Sequence, residues 1–163
     1  GVIFMRKIDF NFVLFGFVIF IFVVGCGHVS RLKPDDLPKL YPVVLTFTQD
    51  NSPLDGATVT LWSTEPDSKW AVGGITDANG KVKITTNGFY IGAPEGTYKI
   101  VIDKIYRDQT ENAKTNGKLL QAVDEKYLNT NNSPLEIEIT KKGKNNQSFE
   151  LGKPANIIIN EDE

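Results

Sequence analysis

The sequence predicts an all-β protein: a seven-stranded antiparallel β-sandwich preceded by a hydrophobic signal-peptide helix. Three observations carry that expectation. From Gly56 to Ile102, short runs of alternating apolar and polar residues are separated by dense turn clusters, the mark of strands with one wet and one packed face. Seven of the ten Phe residues lie before position 26, so leader and body are built for different surroundings. The lone cysteine, Cys26, stands at the end of the apolar run and leaves the body without an intrachain disulfide or a multi-cysteine zinc site.

In chain order, the leader comes first. Met5 reads as the start, with Arg6 and Lys7 as a positive n-region. Phe12 to Val24 is a 13-residue run without a polar side chain. That fits a signal-peptide h-region of roughly 7–15 residues and is short of the about 20 that a spanning helix needs. Residues 1–25 are therefore assigned to a signal peptide. Residues 26–40 form a tether in which Pro34 and Pro38 resist helix. Residues 41–152 form the β domain, and residues 153–163 an acidic tail that reads as loose, with edge pairing of Ile157 to Ile159 as the alternative.

Within the domain, Pro42 to Gln49 is the first strand, with Val43, Leu45 and Phe47 on one face. Asn51 to Gly56 is a turn cluster. Ala57 to Trp62 is the second strand, with Ala57, Val59 and Leu61 inward and Thr58, Thr60 and Trp62 outward. Trp70 to Thr76 is a third strand weakened by Gly73 and Gly74, and Asp77-Ala78-Asn79-Gly80 is the hairpin turn into a fourth, Lys81 to Thr86. Asn87 to Gly96 is a longer loop carrying Phe89 and Tyr90. The fifth strand is Thr97 to Tyr106. Arg107 to Ser133 is mostly polar, with a helical turn expected where Leu119, Leu120, Val123 and Tyr127 recur at helical spacing. Pro134 to Thr140 and Ser148 to Leu151 are the sixth and seventh strands. At roughly 1.5–3 kcal/mol for each buried large aliphatic side chain, about fifteen inward residues supply a sufficient core.

Charge and residue counts exclude several functions. Beyond residue 25 the chain keeps 16 of its 18 basic and 19 of its 20 acidic residues, a formal charge of −3 that offers nucleic acid no basic footprint. The lone histidine, His28, lies in the tether, so no Ser-His-Asp set and no site needing two imidazoles can be assembled. Asp124 and Glu125 are adjacent and cannot face one pocket as paired carboxylates. Asp77-x-Asn79-Gly80 opens like a calcium loop, but the twelfth position is Gly88 rather than an acid. No catalytic residues, metal ligands or cofactor are expected. Trp62, Trp70, Phe89 and Tyr90 are the candidate ligand-binding residues, as an aromatic platform for sugar.

Val23-Val24-Gly25-Cys26 resembles a bacterial lipobox: an aliphatic residue, a tolerant position, a small residue, then cysteine. The resemblance implies cleavage between Gly25 and Cys26 and lipidation of Cys26, whose several acyl chains make a lasting membrane anchor at about 0.8 kcal/mol per buried CH₂. Gly27 in place of Asp implies the outer rather than the inner membrane. Pro53-Leu54-Asp55-Gly56-Ala57-Thr58-Val59, Thr76-Asp77-Ala78-Asn79-Gly80-Lys81 and Ala93-Pro94-Glu95-Gly96-Thr97-Tyr98-Lys99-Ile100 add a second likeness, together with Asp124-Glu125-Lys126-Tyr127 and Ser133-Pro134-Leu135. They are similar to the carboxypeptidase-regulatory-like, transthyretin-like (prealbumin-like) β-sandwich of bacterial envelope lipoproteins. That likeness implies a structural or protein-binding module in the cell envelope, without catalysis. Its partners would be the membrane through the lipid and another envelope protein. A carbohydrate-binding module using the four aromatics is the alternative.

Overall fold

The computed structural model describes residues 33–109, 117–143 and 145–159. The signal-peptide helix, the Gly25–Cys26 cleavage site and the lipidated Cys26 lie outside the described residues. The chain divides into two units, Gly1–Leu37 and Pro38–Glu163. Of the first, the described part is a turn in which the Leu37 amide donates to the Pro34 carbonyl at 3.1 Å.

The second unit is all-β, with most of its strands paired antiparallel. Its largest sheet has six strands. In spatial order they are β13 (Glu136–Ile139), β10 (Gly96–Asp103), β4 (Thr58–Ser63), β5 (Val72–Ile75), β7 (Thr85–Thr86) and β8 (Tyr90–Ile91). A second sheet is built on β2 (Val44–Gln49), which pairs β14 (Asn146–Glu150) on one side and β3 (Ser52–Pro53) and β6 (Lys81–Lys83) on the other. Two smaller sheets complete the unit: β1 (Leu40–Tyr41) with β9 (Ala93–Pro94), and β12 (Leu119–Gln121) between β11 (Ile105–Arg107) and β15 (Ile157–Ile158).

Alternation places the core as expected. Leu45 and Phe47 of β2, Val59 and Leu61 of β4, Val82 of β6, Ile100 and Ile102 of β10, and Ile137 and Ile139 of β13 are buried in one apolar cluster. Both large sheets therefore feed a single core. Each of the seven expected segments contains strand.

Four expectations need correction. The β2–β14 pair is parallel, Val44 to Asn146 through Thr48 to Glu150, so the unit is not wholly antiparallel. Nothing in a strand's own residues encodes the direction of its partner, whereas the shared core fixes it. The hairpin around Asp77–Gly80 splits in the middle. Val72↔Thr86, Gly73↔Thr85 and the bond from the Asp77 amide to the Lys81 carbonyl keep one register. Between them, however, Lys81 to Lys83 leaves β5 and pairs with β2. The glycines of β5 serve close packing: a Cβ at Gly74 would sit 2.7 Å from Val82 Cγ2, and one at Gly73 would sit 2.4 Å from the Val59 carbonyl oxygen.

The loop 87–96 contains paired strands. Asn87 (φ 52°) and Gly88 (φ 73°) turn β7 into β8, the Asn-Gly signature of a tight hairpin. Finally, Leu119 to Gln121 is strand rather than helix, and the helical turn is confined to Glu125–Tyr127, capped by Asp124. The edge of β11 offered Leu120 a partner strand, and that ladder outcompeted a short isolated helix. Ile157 and Ile158 do pair at the edge of β12.

The Asp77 turn is locked by its own carboxylate, which accepts from the Asn79 amide at 2.8 Å and the Lys81 amide at 3.0 Å. Those bonds, the Lys81 amide first, hold the carboxyl below its ordinary pKa. Gly80 closes the turn at φ 71°, and a Cβ there would lie 2.3 Å from the Phe47 carbonyl oxygen. Gly88 has the same backbone sign but open space around it. Gly88→Ala is therefore expected to cost only the left-handed penalty of about 1–2 kcal/mol. Gly80→Ala adds a backbone collision and should cost about 3 kcal/mol or more. Urea denaturation of both variants checks the order; equal midpoints would contradict it.

Candidate functional site

The register of the six-stranded sheet sorts the aromatic residues by face. Directly paired residues in antiparallel strands share a face. Ile100, Leu61, Val72, Thr86 and Tyr90 stand in one row, and Leu61, Val72, Ile100 and Thr86 are buried, so Tyr90 belongs to the core-side row. The neighbouring row, Val101, Thr60, Gly73, Thr85 and Ile91, faces away from the core. Trp62 stands two residues from Thr60 on β4, opposite Lys99, and shares that outer face.

The four candidate aromatics therefore do not form one platform. Trp62 is 57% exposed. Trp70 is half-buried against the core, with the Lys69 ammonium 5.2 Å from its ring centroid. Phe89 is exposed and follows the Asn87-Gly88 turn, while Tyr90 takes the core-side row. Alternation identified Trp62 as outward. The sequence could not show that the 85–91 hairpin would fold Tyr90 to the opposite face, because that depends on a register fixed by β5.

Two grooves flank Trp62. One, of about 520 Å³, runs from Trp62 past Ser63 and Glu65 to Lys69 and Trp70. The other, of about 490 Å³, has Thr58, Thr60 and Trp62 of β4 on one side. Across from them stand Asp103 at the end of β10, and Asn129 and Thr130 after the 3-10 turn. Composition gave no warning of this second groove. Its far wall is brought in by the segment following β12, where strand and a 3-10 turn replace the expected helix.

Second-groove polar groups are held in place from behind. Gln121 is buried, and its Nε2 donates to Asp103 Oδ1 at 2.8 Å. Gln121 Oε1 in turn accepts from the Lys104 amide at 3.3 Å and the Val123 amide at 3.4 Å. Asn129 Oδ1 accepts from the Asn132 amide at 3.0 Å, which turns its Nδ2 donor away from that contact. The ion pair between Lys99 and Glu136 at 3.1 Å, in the same outer row as Trp62, joins β10 to β13.

Exposure and packing predict different roles for the two tryptophans. Trp62→Ala is expected to change folding stability by less than about 1 kcal/mol. Trp70→Ala opens a gap against the core and should cost about 2 kcal/mol or more. Urea denaturation measures both; a larger loss at Trp62 would mean that its ring is packed in solution.

No family model matches the sequence, and no curated protein matches it. Among solved structures, the chain is similar to a 9R-lipoxygenase from Cyanothece PCC8801, at 16% identity and a TM-score of 0.31. The likeness covers 76% of this chain and 18% of the lipoxygenase chain, so the chain spans less than a fifth of that protein's length. A TM-score this low carries no argument about fold or activity.

Proposed function

We propose that the chain is a lipid-anchored protein of the bacterial cell envelope, placed by Cys26 in the outer membrane, whose β domain binds or supports rather than catalyses. The domain is taken as a transthyretin-like sandwich of seven main strands: β2, β4, β5, the split β6–β7, β10, β13 and β14. The shared core of the two large sheets supports that reading.

The observation that carries the binding role is the outer face of the six-stranded sheet. Trp62 is 57% exposed, Ile75 67% and Ile91 74%. Ile75 pairs with Thr58, and Ile91 stands in the outward row with Thr60, so all three share the face turned from the core. We take three large apolar side chains on one solvent face as an interaction surface, although the register sets them apart across it. The groups whose pKa departs from its ordinary value each have a structural cause. Asp77 is lowered by backbone donors, and Glu150 by the Thr48 hydroxyl. Burial pushes Tyr98 up to about 12, and the bond to Glu95 raises Lys141.

Two measurements in growing bacteria test the two halves of the reading. A palmitate analogue should label the full chain and fail to label Cys26→Ala; equal labelling would remove the anchor. A photo-crosslinking residue at position 62 should capture an envelope component, whereas the same residue at position 157 should not. Equal capture at both positions, or none at 62, would contradict a working outer face.

A further inference from the structure

We infer that the groove running from Trp62 past Asn129 to Asp103 is a site for a short neutral saccharide, with the Trp62 indole stacking one ring and the polar groups further along the groove meeting the next. The inference rests on the reading of the domain as a binding module and commits its ligand class. It replaces a four-residue aromatic platform with one aromatic and a fixed set of polar groups.

A sugar ring has an apolar C–H face and a rim of hydroxyls, each both donor and acceptor. The groove offers matching chemistry in two parts. Trp62 supplies a flat apolar surface that is already exposed and makes no ring contact among the described residues. Along the groove from it lie Thr60, then Thr58 with its pair partner Asp103 roughly 13 Å away, and the wall residues Asn129, with its Nδ2 donor, and Thr130. No hydrogen bond among the described residues engages the hydroxyls of those threonines or Asn129 Nδ2. Thr58 and Thr60 are two residues apart on one strand face, which separates them by roughly 7 Å. Directional groups that stay uncommitted, beside an exposed aromatic, are what a polyhydroxylated ligand requires.

Pre-organisation favours the same conclusion. Asp103 is not a loose surface carboxylate. Gln121 grips one of its oxygens from the buried side, and two backbone amides grip Gln121. Asn129 is likewise fixed through its own Oδ1. Side chains locked before binding lose less entropy when the ligand arrives.

The charge pattern excludes other ligands. Asp103 is the one charged side chain lining the groove, and it is negative. That charge disfavours phosphates and uronates, and Lys99, opposite Trp62 on the same face, is already paired with Glu136. A peptide added as a strand needs a free sheet edge, whereas this groove lies over β4 and β10, both paired on two sides. The other groove is less suited to a sugar, because the Lys69 ammonium already lies over the Trp70 ring.

The test uses the full-length lipidated protein in detergent on a glycan array. The array carries neutral β- and α-linked glucans, chitin fragments, mannans and galactans, with uronate polymers as the charged comparison. At least one neutral class should bind saturably, and uronates should not. Trp62→Ala should weaken that binding roughly tenfold or more, the scale of losing one aromatic anchor. Asp103→Asn and Asn129→Ala should weaken it by smaller factors, and Trp70→Phe should leave it unchanged. No binding by any neutral class, or equal binding by wild type and Trp62→Ala, overturns the inference. If the array is silent while position 62 crosslinks to a protein in cells, the sugar subsite falls and the binding module stands. If both are silent, both fall.

Discussion

Phe47 is the residue through which the two large sheets are tied. Its amide donates to the Gly80 carbonyl at 2.8 Å, and its carbonyl accepts from the Leu54 amide at 3.0 Å. Its ring is fully buried and stacks on Phe149 with centroids 5.4 Å apart. One residue therefore joins the tip of the Asp77 turn, the entry to β4 and the last strand of the domain core. β2 can do this because it is central: β14 lies along one edge, β3 and β6 along the other. The bonds continue past β14 as the Leu151 amide donates to Thr48 and the Asp50 amide donates to Gly152. A segment near residue 45 and one near residue 150 are thus held as a single unit, and their bonds and buried rings must offset the entropy of closing the long loop between them.

From that clasp follows the geometry of the outer face. Lys81 to Lys83 is drawn to β2, so β5 regains its partner only at Thr85. β7 and β8 then extend the six-stranded sheet beyond β5 by a tight Asn-Gly hairpin. That extension carries Ile91 onto the solvent side and Tyr90 onto the core side. On the opposite flank, the chain leaving β10 returns through β12, which brings Gln121 behind Asp103. The groove beside Trp62 thus joins a central strand that formed through local alternation to a wall delivered by long-range pairing.

What the sequence showed and what it hid divide along that line. Strand positions and their inward faces were legible wherever local alternation decided them: Val43, Leu45, Phe47, Val59, Leu61, Ile100, Ile137 and Ile139 are all buried. Trp62 was legible as outward for the same reason. Partner choice was not legible. The parallel direction of β14, the departure of Lys81 to Lys83 toward β2 and the strand at Leu119 to Gln121 each depend on which edge is free when the chain arrives. Leu119, Leu120 and Val123 fit a helical spacing and a strand equally well, and only β11 decided between them. The Asn87-Gly88 turn signal is present in the sequence, but its hairpin forms because β5 gives Thr85 and Thr86 an edge to pair with. Gln121 carries no signal of its role, because its importance lies in what its two polar atoms reach.

β2 and β14, about a hundred residues apart in the chain, form one cooperative element on which both sheets depend. Native-state amide hydrogen exchange tests it most directly, because it resolves which strands open together. The amides of Thr46, Phe47 and Thr48 in β2 should exchange only through global unfolding, and those of Phe149 and Leu151 should share that opening free energy. Exchange of Phe149 and Leu151 at much lower free energy, while Phe47 and the strands of the six-stranded sheet stay protected, would contradict the account. It would show a terminal strand that merely rests against the domain.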